Sequence, residues 1–350
     1  MSISIKYFWL VVGIILIALL FIYKNLNKNS DNISLVSIWP DDSIENFNDK
    51  VFLSDVSNIT FNKDLFFISS FSNSKIYLLD TTLKYMGEFG YKGKGPSEFT
   101  SITTFCFLKD ILIIYDNGKQ AFLLYHWGGD NKFKYLKEVK NEIPELIFDR
   151  ICSDNSKLIY IETPTNEYPI SVIDTSFSEL FSFGEKLNFE SFAEKRARNF
   201  SHLFFDRNNN LLIRVLKSEP IIQLYSNFKL KEQISLNDNK IIQSRISFIN
   251  KEITRDINNN SKTYAIFFDA YLNNNFLFLL TIDNQNDKAR SNKIVVFDLN
   301  NKAIVSVLIL NETGLDDWFS RICVHKNILL AFNEITGHLC KFDLKKIIKN

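Results

Sequence analysis

Six short apolar runs, each opened by a polar turn residue, recur along this chain of 350 residues, and no other feature constrains its fold as tightly. They lie at 65–68, 111–114, 158–161, 211–213, 276–280 and 328–331, behind Asp64, Asp110, Lys157, Asn210, Asn275 and Asn327. Their starting positions are 46, 47, 53, 65 and 52 residues apart. Apolar strands precede most of these turns, at 59–61, 105–107, 202–205 and 321–324. Several units continue into a third strand ending in Asp80, Asp174, Asp298 or Asp343, and the first unit adds a fourth at 85–89. Each unit therefore predicts a four-stranded antiparallel meander, and such meanders repeating every 40–50 residues or so predict the blades of a propeller. About 300 residues at about 50 each make six blades. The expected class is all-β. Only seven residues follow Asp343, so a strand borrowed from 33–38 or 51–53 is expected to complete the last blade and remove its open edge.

Composition fits this. The 33 Phe and 13 Tyr favour strands, and with only 11 Gly the abundant Asn is left to serve the turns. A 46% hydrophobic content excludes a disordered chain. Forty-one Lys+Arg against 40 Asp+Glu excludes the electrostatic footprint of a nucleic-acid binder. No pair of the four cysteines has the C-x-x-C spacing of a zinc or redox site.

Residues 7–23 carry no charge and lie between Lys6 and Lys24. As a helix they reach about 26 Å, close to the roughly 30 Å of a hydrocarbon core. Tyr7, Phe8 and Trp9 suit one interface, Phe21 and Tyr23 the other. No A-x-A-like site follows, and the first cysteine, Cys106, is far too distant for a lipoprotein. The expectation is one transmembrane helix within a signal-anchor at 1–24, an Asn-rich spacer at 25–49, and the propeller over 50–350. Lys6 against Lys24 and Lys28 leaves the flanking charge nearly even. An anchor ahead of a long polar chain usually exports that chain. The propeller is therefore expected outside the cytoplasm, on the periplasmic side of the inner membrane or at the cell surface.

One loop, 87–99, concentrates Gly90, Gly93, Gly95, Pro96 and Phe99. It fails as a phosphate-binding loop, because Pro96 follows Gly95 where a P-loop needs Lys, and Glu98 stands where G-x-G-x-x-G needs glycine. It reads as a blade-linking turn. Pro96 biases Gly95 towards an extended conformation, Gly93 or Gly95 is expected to need positive φ, and Phe99 to pack between blades one and two. The motif G-x-x-G-x-G-P-x-E-F resembles the blade-linking element of six-bladed propellers related to the NHL-repeat group. It is particularly similar to the TolB-like propeller proteins of Bacteroidetes-type bacteria, with a degenerate echo at 183–192. The resemblance implies a six-bladed fold, with an amino-terminal anchor in many such proteins, and implies no activity.

Chemistry is harder to find. Cys106, Cys152 and Cys323 share a repeat position on the innermost strands, where they are expected to be small apolar filler too far apart for a disulfide. His126, His202, His325 and His338 show no metal or hydrolase spacing, and no G-x-S-x-G elbow exists. Lactonase-type propellers hold calcium in the channel with Asn, Asp and Glu, but Asn-rich turns account for most of that abundance here. The basic cluster Lys195, Arg196 and Arg198 is a solvated loop face or, in the sharper reading, a partner or anionic-glycan contact. The expected role is a binding module for a protein or glycan partner, monomeric, without catalytic residues, cofactor or nucleic acid. The alternative is a calcium-dependent hydrolase with its site at the channel mouth.

Overall fold

In the computed structural model each apolar run is the second strand of a sheet. The structure describes residues 33–47, 51–128, 132–143, 150–189, 198–255, 264–285, 288–314 and 317–345. Blade one is Asn58–Asn62, Leu65–Ser70, Lys75–Leu79 and Tyr85–Phe89, and blade two Ile102–Leu108, Ile111–Asp116, Ala121–Trp127 and Phe133–Lys140. Blade three is Cys152–Ser153, Ile159–Glu162, Ile170–Ile173 and Glu179–Phe183, and blade four Ser201–Asp206, Leu211–Leu216, Ile221–Ser226 and Lys229–Ser235. Blade five holds Phe267–Asn273, Phe276–Gln285, Lys288–Asp298 and Ala303–Leu310, and blade six Phe319–His325, Ile328–Asn333 and His338–Asp343. The first strands of consecutive blades touch one another all the way round the axis.

The core is six cores, each between two neighbouring blades. Along Leu65–Ser70, Phe66 and Ile68 pack towards blade six while Leu65 and Phe67 pack towards blade two. A strand buried on both faces reads as a continuous apolar run rather than an alternating one. That is why the runs stand out in the sequence. Turn aspartates recur for a local reason: Asp80, Asp174 and Asp298 each accept backbone N–H bonds from the turn that follows, as from Thr82, Ser176 and Asn300. Left-handed turn positions fall on Asn155, Asn210, Asn227 and Asn274, but also on Lys63, Lys109 and Lys326.

Ring closure differs in detail from the sequence expectation. The fourth strand of blade six is Asp42–Ile44, antiparallel to His338–Asp343 with Ser43 opposite Cys340. Ser34–Ile38 instead runs parallel to Ala303–Leu310 as a fifth strand on blade five, and Val51–Phe52 pairs with Asn46–Phe47. The reason is burial. Val36 and Ile38 pack on the core between blades five and six, and Ile33 on that between four and five, so the segment straddles blade five. A helix, Lys240–Arg255, also interrupts the all-β order expected of the chain. Asn239 caps it by accepting from Ile241 N (3.0 Å) and Ile242 N (3.3 Å), while Ile242 and Ile249 bury against blades four and five. This insertion accounts for the 65-residue interval. The expected membrane segment at 7–23 lies outside the described residues; among those residues no helix is long and apolar enough to cross a membrane.

Candidate functional site

The axis of the ring is plugged by one side chain. Arg150, just ahead of the first strand of blade three, sends its guanidinium across the channel. Its Nε and Nη2 donate to the two carboxylate oxygens of Asp269 on blade five (3.1 and 2.8 Å). Its Nη1 donates to Asn58 Oδ1 (2.8 Å) and Ile59 O (3.0 Å) on blade one, and Nη2 also to Ile322 O (2.9 Å) on blade six. Asp269 accepts in addition from Ile322 N at 2.8 Å. Burial by itself would raise the Asp269 carboxyl, but Arg150 and Arg321 outweigh it and hold it below the usual carboxylate range. Four blades are thereby tied at one point. The sequence carried no signal for this, since a lone Arg before a short strand has no motif.

Arg150 sits near the end of the channel where links between blades cross, and that end is narrow. The other end, ringed by the hairpin turns between first and second strands, holds a cavity of about 240 Å³. Its lining includes Thr60, Asn62, Cys106, Cys152, Phe205, Arg207 and Tyr271. Asn62 Nδ2 is buried with no hydrogen-bond partner, and Arg207 has no ion pair among the described residues. Cys106 and Cys152 line this cavity from adjacent inner strands, whereas Cys323 turns into the core between blades six and one. All are free thiols; burial pushes Cys106 and Cys323 up to about 12 and raises Cys152 well above its ordinary value, so they are protonated and unreactive at neutral pH.

Asp269 is the one carboxylate among the described residues lining the two axial cavities, and a guanidinium already occupies both its oxygens. No group of three or more His, Cys, Asp or Glu among the described residues could hold a metal ion. The histidines are dispersed: His325 stacks on Phe61, His338 pairs with Glu312, His202 is buried on blade four and His126 is exposed.

The glycine loop lies at the opposite end of the ring from the cavity, and its anion is its own. Glu98 folds back so that Gly95 N donates to its Oε2 at 2.6 Å, and a Cβ on Gly93 would come within 2.0 Å of that carboxylate. Positive φ falls at Gly90 (98°), correcting the expectation for Gly93 or Gly95; a Cβ there would meet the Phe99 ring at 2.2 Å. Pro96 and Lys94 are exposed, and Phe99 is fully buried in the core between blades one and two. The echo loop is held differently, by Arg214, fully buried, which donates to Glu185 O, Asn199 O, Ser201 Oγ and Gln223 Oε1. Of the basic cluster, Arg198 is no free contact. It pairs with Glu219 and stacks over Phe189. Lys195 and Arg196 lie outside the described residues.

A ring of six antiparallel four-stranded sheets around one axis defines a β-propeller. The chain belongs to the family described as 6-bladed beta-propeller, DUF5128, matched over residues 46–313. Both parts of the closing blade, Asp42–Ile44 and 319–343, fall outside that span. Among solved structures the chain is similar to a Bacteroides fragilis protein named for its inferred export, at 14% identity and TM-score 0.52, covering 85% of this chain and 88% of that one. It is also similar to Chaetomium thermophilum Raptor (11%, TM-score 0.52, 82% of this chain and 28% of that one). A third is hydrazine synthase of Kuenenia stuttgartiensis (11%, TM-score 0.50, 86% and 98%). At such identities the likeness is one of fold. No curated protein matches the chain by sequence.

Proposed function

We propose that this protein is a membrane-anchored, extracytoplasmic binding module that takes a protein or glycan partner on the face where the axial cavity opens, and that it catalyses nothing. One observation carries the reading. The axis is locked at one end by a saturated arginine, while the cavity at the other end keeps donors without partners at Asn62 and Arg207. A rigid ring that brings turns from six blades to one face suits recognition. Export is supported by the name of the Bacteroides fragilis neighbour and by residues 7–23, and the 87–99 loop supports a place near the NHL-related, TolB-like propellers.

A photo-crosslinking residue placed in cells at Lys157 or Lys326, on the turn face, should give adducts, and one at Lys94, on the linking face, should give none. Adducts confined to Lys94 would reject the reading. The anchor has its own test: the protein should stay with membranes through a high-salt, alkaline wash. A mature chain starting near residue 25 would refute it.

A further inference from the structure

The axial cavity does not end at the inner wall of the ring. Phe205 lines both it and a second hollow of about 130 Å³ between blades three and four on the same face. Tyr160 stacks on Phe205 with centroids 5.6 Å apart and planes 12° from parallel. Further out, Phe183 meets Phe228 edge to face at 5.4 Å, and Phe181 continues the row at 4.8 Å from Phe228. Phe181 and Phe228 are 39% and 40% exposed. Phe228 has φ 64° in a two-residue hairpin turn with Asn227, the place where glycine is favoured. The corresponding turns of blades one and three also carry a left-handed apolar residue, Leu83 (φ 63°) and Phe177 (φ 69°), but bury it in the neighbouring core, whereas Phe228 is left half-exposed. Asn210 and Asn227 line the same hollow, and their side-chain amides make no hydrogen bond among the described residues.

We propose that this groove binds an acidic oligosaccharide, its sugar rings on the aromatic row between blades three and four and its acidic group at Arg207 and Asn62. The inference rests on the binding-module reading and deepens it. A pyranose ring offers an apolar C–H face rimmed by hydroxyls that both donate and accept. The flat ring faces complement the first, and free Asn amides, which also donate and accept, complement the second. A guanidinium without a counter-ion complements a carboxylate or sulfate. Phe181 and Phe183 lie on Glu179–Phe183, the outer edge strand of blade three, so an extended peptide is the rival occupant that the binding test separates from a sugar.

The test is binding of the purified full-length protein to immobilised uronic-acid, sialic-acid and sulfated oligosaccharides, their neutral counterparts, and a pentaglutamate peptide. At least one acidic sugar should bind ten-fold more tightly than its neutral counterpart and than the peptide. Phe228→Ala should weaken that sugar at least ten-fold, and Arg207→Gln should erase the acidic preference, with both variants melting like the parent. No acidic preference, or peptide binding as tight as the sugar, overturns the proposal. Sugar binding that survives both substitutions keeps the binding module and rejects this groove.

Discussion

The two ends of the channel are built from the same six inner strands and have opposite character. At the linking end Arg150, Asp269, Asn58 and Ile322 satisfy one another, and Arg321 Nε donates to Ser57 O at 2.6 Å beside them. At the turn end Asn62 Nδ2 is buried without a hydrogen-bond partner and Arg207 has no ion pair among the described residues. Buried charge is tolerated only when it is paired and hydrogen-bonded, so the first end is a tie that holds blades together. The second can stay unsatisfied because the tie and the six inter-blade cores keep the ring from collapsing onto it. Stability and recognition are thus divided between two faces.

That division can be broken in order of expected effect. A chain starting at residue 55 loses Ser34–Ile38 and Asp42–Ile44 together, exposing the edges of blades five and six. It should melt at least about 5 °C lower and self-associate on sizing, since one kilocalorie shifts a domain of this size by about 2–4 °C or less. A truncated chain that melts like the parent would show that closure contributes little.

Arg150→Met leaves Asp269 charged in the interior and should cost about 3–5 kcal/mol in urea denaturation at pH 7, whereas Arg150→Met with Asp269→Leu should recover most of it. The parent and Arg150→Met should also differ in pH dependence. In the parent the Asp269 carboxyl is depressed below its unfolded value, so it contributes stability above that value and loses it as pH falls through the folded one. In Arg150→Met burial is opposed by Arg321 without Arg150, so the Asp269 carboxyl rises from its position in the parent and the penalty should shrink as pH falls through that higher value. A penalty constant from pH 7 to 3 would mean that the tie is not electrostatic.

On the linking face, Phe99→Ala should cost about 3–5 kcal/mol because it empties the core between blades one and two. Gly90→Ala should cost about 1–2 kcal/mol from its left-handed backbone alone, and more if the Phe99 ring cannot move aside. Smallest of all, Lys94→Ala should stay within about 0.5 kcal/mol. Measured by chemical denaturation, a stable Phe99→Ala protein would undo the assignment of the loop as a blade link.

Much of the fold was legible because blades are local. Leu65–Ser70 and its five counterparts are buried on both faces by contacts within a repeat and with the next, and such burial writes itself into sequence as an apolar run. The helix Lys240–Arg255 carries a sequence signal too: Asn239 with Ile242, Ile246 and Ile249 at helical spacing, inside the longest interval. Far less of the site could be read. The loop stood out by its glycines, yet its role turned on Glu98 folding back, and the pairing of Arg198 in the basic cluster was hidden because Glu219 reaches it from 21 positions away.

The sequence by itself determined the repeat, the number of blades and the sheet class, because periodic burial needs only near neighbours along the chain. The tertiary structure alone decided which amino-terminal segment closes the ring, since 34–38 and 42–44 find their edges some 270–300 positions away. It alone brought Arg150 to Asp269 across 119 positions and set Phe205 between two cavities. Pairing and enclosure depend on distances in space, and a closed ring sets those only when its last strand is in place.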